Sequence, residues 1–267
     1  MTARTANGWN EGTSYEAFMG RWSRPLSDKF VDWLAVPPGG HWLDVGTGTG
    51  ALAAAVCRSA SPSSVLACDP SASFVKEARS RLDDHRVSFA IAGIGDLPVR
   101  EDGYDAVVSG LALNFFPDCA GAVREQLAAV RPGGTVGALV WDYSDGMEFL
   151  RHFWDAAAVV DPKAAEVDEA RRFPICRPEP LKSLFESSGA ENVRVESIVI
   201  PTVFPDFNSY WSPFLGNAGP APRFVSSLTE ERRDALARVL QDRLPVNAEG
   251  AIELKARAWA VAGCRSH

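Results

Sequence analysis

Three glycines at alternate positions, Asp44-Val45-Gly46-Thr47-Gly48-Thr49-Gly50, follow the apolar run His41-Trp42-Leu43-Asp44-Val45 without a gap. Glycine tolerates left-handed backbone and lets the chain approach a ligand closely. A glycine turn from a strand into a helix, here Ala51 to Arg58, puts a helix N-terminus at the carboxyl end of a strand, where open α/β sheets bind ligands. The loop alone does not name the ligand, because Gly46, Gly48 and Ala51 also satisfy the G-x-G-x-x-A form of the dinucleotide fingerprint.

The pattern then repeats. Val65 to Asp69 reads as a second strand, followed by a helical stretch Ser71 to Leu82 with Phe74, Ala78 and Leu82 on one face. Val87 to Ala92 alternates as a third strand and Tyr104 to Gly110 forms a fourth. After a helix from Ala120 to Val130, the breaker Arg131-Pro132-Gly133-Gly134 leads into a fifth strand, Thr135 to Trp141. Strands alternating with helices predict a doubly wound, Rossmann-like α/β fold with helices on both faces of a mainly parallel sheet.

Two further strands are expected, Val193 to Phe204 and Ala251 to Cys264, and antiparallel pairing between them needs no crossover helix. The segment between them, 205–250, is rich in Pro, Gly and aromatics and reads as an inserted cap; Ser227-Leu228-Thr229-Glu230 has capping-box spacing and opens a helix to about Leu244. Residues 1–35 contain an amphipathic helix, a second lid. The expected organisation is one domain over 1–267, with a core at 36–145.

Composition narrows the function. At 46% hydrophobic and 23% charged the 267-residue chain is ordinary globular protein, without an apolar run of bilayer length or the apolar core of a signal peptide near Met1 to Trp22, so a cytoplasmic protein without membrane association is expected. Five scattered cysteines without CxxC spacing suggest neither a disulfide framework nor a metal site. A net charge of -7 without a basic run disfavours nucleic acid as a partner.

Three features separate this chain from dehydrogenases. Leu43 to Gly50 carries an acidic residue two places before the first glycine. Ile94-Gly95-Asp96-Leu97-Pro98-Val99 precedes Tyr104-Asp105-Ala106-Val107, and Arg131-Pro132-Gly133-Gly134-Thr135 precedes strand five. In this order, over roughly 40–145, they resemble the class I S-adenosylmethionine (SAM) dependent methyltransferases, particularly the small-molecule group that includes ubiquinone-biosynthesis-like (type 11) enzymes. That resemblance implies a seven-stranded sheet with one antiparallel strand, SAM as cofactor and S-adenosylhomocysteine as product.

It also implies roles. Gly46, Thr47 and Gly48 would line the methionine moiety, Asp44 would order its ammonium group, and Leu111 and Ala112 would offer it backbone carbonyls. Asp69 would take the ribose hydroxyls; the competing reading of Asp69 is a cap on the next helix, a task for which Ser71 is available. Pro70, Ser71 and Phe74 lie close behind. Where the family often has Gly-Asp-Ala after strand three, this chain reads Ala92-Gly93-Ile94, so the backbone around Gly93 and Ile94 would hold the adenine unless a shifted loop brings Asp96 in. Tyr15 to Trp22 resembles a segment that folds over the cofactor, with Tyr15 and Arg21 reaching its carboxylate; a packed surface helix is the plain alternative.

The aromatics of the two lid segments suggest a small apolar or aromatic acceptor, though core packing explains most of them equally. His152, just beyond strand five, is the one histidine placed to act as a base, and packing on its helix is the competing account. Asn114, with Trp141 and Tyr143, is placed to orient an acceptor. Two rival functions stand beside methyl transfer: a metabolite- or partner-binding protein of the same fold, and a nicotinamide oxidoreductase.

Overall fold

The computed structural model describes residues 19–216 and 219–267. In chain order the elements are α1 (Arg21–Leu34), β1 (His41–Val45), α2 (Ala51–Ser59), β2 (Ser64–Asp69), α3 (Ala72–Arg81), β3 (Val87–Ile91), β4 (Tyr104–Gly110), α4 (Cys119–Ala129), β5 (Val130–Trp141) and α5 (Glu148–Val160). Then come α6 (Ala164–Val167), α7 (Glu169–Arg172), α8 (Pro178–Ser187), β6 (Glu191–Phe204), α9 (Phe207–Trp211), α10 (Pro220–Ser227), α11 (Glu230–Arg243) and β7 (Ile252–Cys264).

Seven strands form one sheet in the order β3-β2-β1-β4-β5-β7-β6. Strands β1 to β5 pair in parallel, and β7 runs antiparallel to both β5 and β6. This is the expected doubly wound sheet with one antiparallel strand. The central strands read as apolar runs because both faces are covered: Trp42 to Val45 are all buried, and so are Ala106 to Val108. The edge strand β6 instead alternates, with Ile198, Ile200, Thr202 and Phe204 inward and the residues between them exposed.

Helix α1 buries Trp22, Leu26, Phe30 and Leu34, one side chain per turn, and its C-terminal carbonyls at Trp33 and Leu34 accept from the Arg194 guanidinium, 3.0 Å each. Gly137 on β5 faces this helix. A Cβ there would stand 3.0 Å from the Leu34 side chain.

Strand β5 begins at Val130, five residues before the expected start at Thr135. Val130 pairs with Tyr104, the register then shifts, and the Arg131-to-Gly134 segment is held by Arg265: Gly133 N–H donates to its carbonyl, and its own N–H donates to the Gly134 carbonyl. The breaker is therefore a bulge whose backbone groups are satisfied from the far end of the chain. The helix after residue 227 is capped by Thr229, whose hydroxyl accepts from Arg232 N–H, rather than by Ser227.

Because β6 runs parallel to β5, the 205–251 insert leaves and rejoins the sheet at the carboxyl edge, the edge from which α5 also departs. The two segments build one helical layer. Phe214 of the insert stacks on Phe153 of α5 at 4.4 Å, Phe224 meets Trp154 at 5.7 Å, and the buried Tyr210 hydroxyl donates to the Phe149 carbonyl at 2.7 Å. Among the described residues no helix is long and apolar enough to cross a membrane, and no cluster of His, Cys, Asp or Glu could hold a metal ion.

Candidate active site

At the end of β1 the chain turns under β2: Gly46 and Thr47 N–H both donate to the Cys68 carbonyl at 2.9 Å. Gly46 and Gly48 take φ of +75° and +54°, which side chains rarely adopt. At Gly46 a Cβ would also lie 2.8 Å from the Ala112 Cβ, so glycine is required for the loop to meet the exit of β4. At Gly48 the Cβ direction is open, which leaves bare backbone facing the cleft above.

Asp69, at the end of β2, ties this loop to the next. Its two carboxylate oxygens accept from Gly48 N–H at 3.0 Å and Ser71 N–H at 2.8 Å. Burial pushes its pKa up, and these two donors oppose the rise. Asp44 is fully buried under the loop, where Thr47 Oγ1 donates to one oxygen at 2.6 Å and the other has no partner among the described residues. Desolvation pushes Asp44 up to about 7.

Above these carboxyls lies a cleft of about 220 Å³. Its floor is Gly46, Thr47, Gly48, Asp69 and Pro70; Phe74 of α3 closes one side, and Leu111, Ala112, Phe115 and Phe116 close the other. Leu111 has φ +60°, a left-handed conformation that costs a non-glycine residue about 1–2 kcal/mol, and its N–H is held by the Leu139 carbonyl at 2.8 Å. The strain sits where the chain leaves β4 along the cleft wall.

Eight of the residues expected around a cofactor therefore share one cavity. The others fall elsewhere. Ser71 caps α3, accepting from Phe74 N–H, which frees Asp69 from that task. Gly93 packs behind Pro70, and neither it nor Ile94 forms part of the cleft wall. The exposed Arg21 guanidinium lies over the Trp22 and Phe204 rings, 4.2 and 4.7 Å from their centroids, rather than in the cleft. Tyr15 lies outside the described residues.

Sequence reasoning missed Ser23 and Ser27 of α1, which line the cleft, and the Phe115-Phe116 pair. The i, i+4 serines on the helix's buried side were the available signal for the first, and the aromatic pair just beyond strand four for the second.

A second, smaller cavity lies across Phe115. Phe115, Tyr143 and Phe173 line it, with Met19, Leu150, Pro220 and the carboxyl of Glu169. Phe115 and Phe173 meet edge to face at 5.2 Å. Glu169 is buried, Trp154 Nε1 donates to its Oε2 at 2.6 Å, and burial pushes it up to about 7. Asn114 is buried on the turn carrying Phe115, and its Nδ2 has no partner among the described residues. His152 is half-buried on α5 and lines neither cavity.

Residues 43–134 match the model of a family described as a methyltransferase domain. The ubiquinone/menaquinone biosynthesis C-methyltransferase of Desulfotalea psychrophila is 30% identical over 114 residues, 43% of this chain and 45% of that protein. The matched region thus spans less than half the length of such relatives. A Bacillus halodurans C-125 protein assigned as a methyltransferase shares the fold with a TM-score of 0.60 at 17% identity, covering 90% of this chain and 99% of that one. Phosphoethanolamine N-methyltransferase 2 of Haemonchus contortus, solved with S-adenosyl-L-methionine, superposes with a TM-score of 0.59 at 16% identity, covering 96% of this chain and 57% of that one. The family match over 43–134, the strand order and the loop geometry agree on the fold of the class I, SAM-dependent methyltransferases.

Proposed function

We propose that this protein transfers a methyl group from SAM to a small-molecule acceptor. The observation that carries the reading is the Asp69 carboxylate, held by backbone N–H groups in the floor of a cleft beside bare glycine backbone. Each carboxylate oxygen accepts one N–H and keeps further lone-pair capacity, enough to take the two hydroxyls of a ribose. Gly46, Thr47 and Gly48 offer backbone to the methionine end, and Phe74 and Pro70 offer apolar surface to the base. The bound cofactor would supply an activated methyl group.

The chain's own contribution is placement. Phe115 and Phe116 wall the cofactor cleft and present aromatic surface to an acceptor, while the void of about 10 Å³ beyond Phe115 is too small to hold one. Oriented proximity supplies roughly 7–11 kcal/mol in good intramolecular models. The apolar lining favours a small apolar or aromatic acceptor, and we read the chain as a single domain, capped by α1 and the α5–insert layer, working in the cytoplasm.

Calorimetric titration with SAM and S-adenosylhomocysteine tests the reading. Saturable binding of both, weakened in Asp69→Asn, is expected. Binding of NADH in place of SAM would assign the cleft to a nicotinamide enzyme. Turnover of SAM over a panel of small acceptors then separates a methyltransferase from a protein that only binds the cofactor.

A further inference from the structure

Helix α1 brings two serines to the cofactor cleft. Ser23 and Ser27, one turn apart and each 2% exposed, line its wall. Their hydroxyls donate back to their own helix, Ser23 Oγ to the Gly20 carbonyl at 3.1 Å and Ser27 Oγ to the Ser23 carbonyl at 2.8 Å. Such back-bonds slightly destabilise a helix, and a hydroxyl proton rotates to suit its partner, so each can turn to a ligand at little cost. The glycine loop has few donors to spare. Gly46 and Thr47 N–H are committed to the Cys68 carbonyl, Gly48 N–H to Asp69, Gly50 N–H to the Thr47 carbonyl and the Thr47 hydroxyl to Asp44. Asp69 is the only charged side chain among the described residues lining the cleft, and the Arg21 guanidinium is spent on the Trp22 and Phe204 rings.

Strand order fixes which end of the cofactor meets these serines. Strand β2, carrying Asp69, lies on one side of β1, and α1 lies on the other, where Phe30 and Leu34 pack over Gly137 of β5. A ribose on Asp69 with its base against Phe74 therefore directs the amino-acid arm across the glycine loop toward α1. Resting on the reading of the cleft as a SAM site, we infer that Ser23 and Ser27 bind the carboxylate of the cofactor's methionine moiety, both hydroxyls turning from their own helix to donate to it. Hydrogen bonds to an ionised acceptor are shorter and roughly twice as strong as neutral ones, which favours the exchange. When the cofactor leaves, the hydroxyls return to the Gly20 and Ser23 carbonyls, so neither buried donor is left unpaired between turnovers.

The test is calorimetric titration of the full chain with three probes: S-adenosylhomocysteine, its decarboxylated analogue, which keeps the ammonium group, and 5′-methylthioadenosine, which lacks the whole amino-acid arm. The wild type should bind S-adenosylhomocysteine about tenfold or more tighter than the decarboxylated analogue, the size of one hydrogen bond to a charged group. Ser23→Ala and Ser27→Ala should each shrink that ratio, and the double variant should bring it within about threefold. Affinity for 5′-methylthioadenosine should stay within about twofold in every variant, which shows that the nucleoside end of the cleft is intact. If the wild type binds neither S-adenosylhomocysteine nor 5′-methylthioadenosine, the cofactor reading falls. If it binds both but does not distinguish the decarboxylated analogue, or if the double variant keeps the wild-type ratio, the assignment of the two serines is overturned. A double variant that loses 5′-methylthioadenosine as steeply as S-adenosylhomocysteine would overturn it too, since the serines would then only hold the helix.

Discussion

Replacing Glu169 by Gln should stabilise the protein at alkaline pH and leave it almost unchanged in acid. In the unfolded chain this carboxyl titrates near 4.5, whereas burial in the fold raises it to about 7. Below 4.5 both states are protonated and the buried side chain is neutral. As pH rises from about 4.5 to about 7 the unfolded state loses its proton first, so the folded state loses stability over that window and the loss is complete above 7. At about 1.4 kcal/mol for each tenfold change in proton affinity, the rise corresponds to roughly 3 kcal/mol, with Trp154 already moderating it. Gln is neutral in both states and still accepts from the indole. Glu169→Gln should therefore melt with the wild type at pH 4.5 and about 6–12 °C above it at pH 8, at about 2–4 °C per kcal/mol for a domain approaching this size. Melting curves of both proteins at the two pH values give the answer, and comparing differences cancels any constant packing change. A Glu169→Gln variant no more stable than wild type at pH 8, or one shifted equally at both pH values, would refute the argument that desolvation dominates this carboxyl.

Asp69→Ala should weaken SAM binding by about 1.5–3 kcal/mol in calorimetry, the scale of a hydrogen bond to a charged group, and the Gly48 and Ser71 N–H groups lose their acceptor as well. Gly48→Val should abolish SAM binding, because the side chain enters the cleft; the φ of +54° adds a stability loss of about 1–2 kcal/mol that a thermal melt will show separately. Phe214→Ala removes the ring stacked on Phe153 and should cost about 3–5 kcal/mol, so excising 205–250 would strip α5 rather than lift off a free lid; unchanged melting would mean that the insert is an independent cap. His152→Ala, assayed with an acceptor in hand, should lower the maximal rate by less than about a hundredfold, since the ring lines neither cavity; a larger loss with intact SAM binding would make it the base.

The glycine loop and Asp69 were legible in the chain because their functions are local. A left-handed turn needs glycine wherever it occurs, and an acidic residue at the end of the second strand is carried to the loop by the βαβ unit itself. The strands could be counted from hydrophobic runs and spacing, and the antiparallel strand came from the resemblance to the methyltransferase family. The start of β5 could not be read in this way, because the Arg131-to-Gly134 bulge is stabilised by Arg265, more than 130 positions away.

The second cavity shows the same boundary more sharply. Phe115, Tyr143, Trp154, Glu169 and Phe173 come from four separate elements and loops, and each alone reads as an ordinary turn aromatic, helix aromatic or surface carboxylate. Glu169 in particular looks like any acidic residue opening a short helix. Only the packing of α5 and α7 at the carboxyl edge removes water from it and brings the Trp154 indole within 2.6 Å. Periodicity and turn chemistry thus determined the sheet and the cofactor loop, since backbone conformation is set by near neighbours. The environment of Glu169 was decided by tertiary structure, because desolvation depends on every group that the fold gathers around a side chain, whatever its distance along the chain.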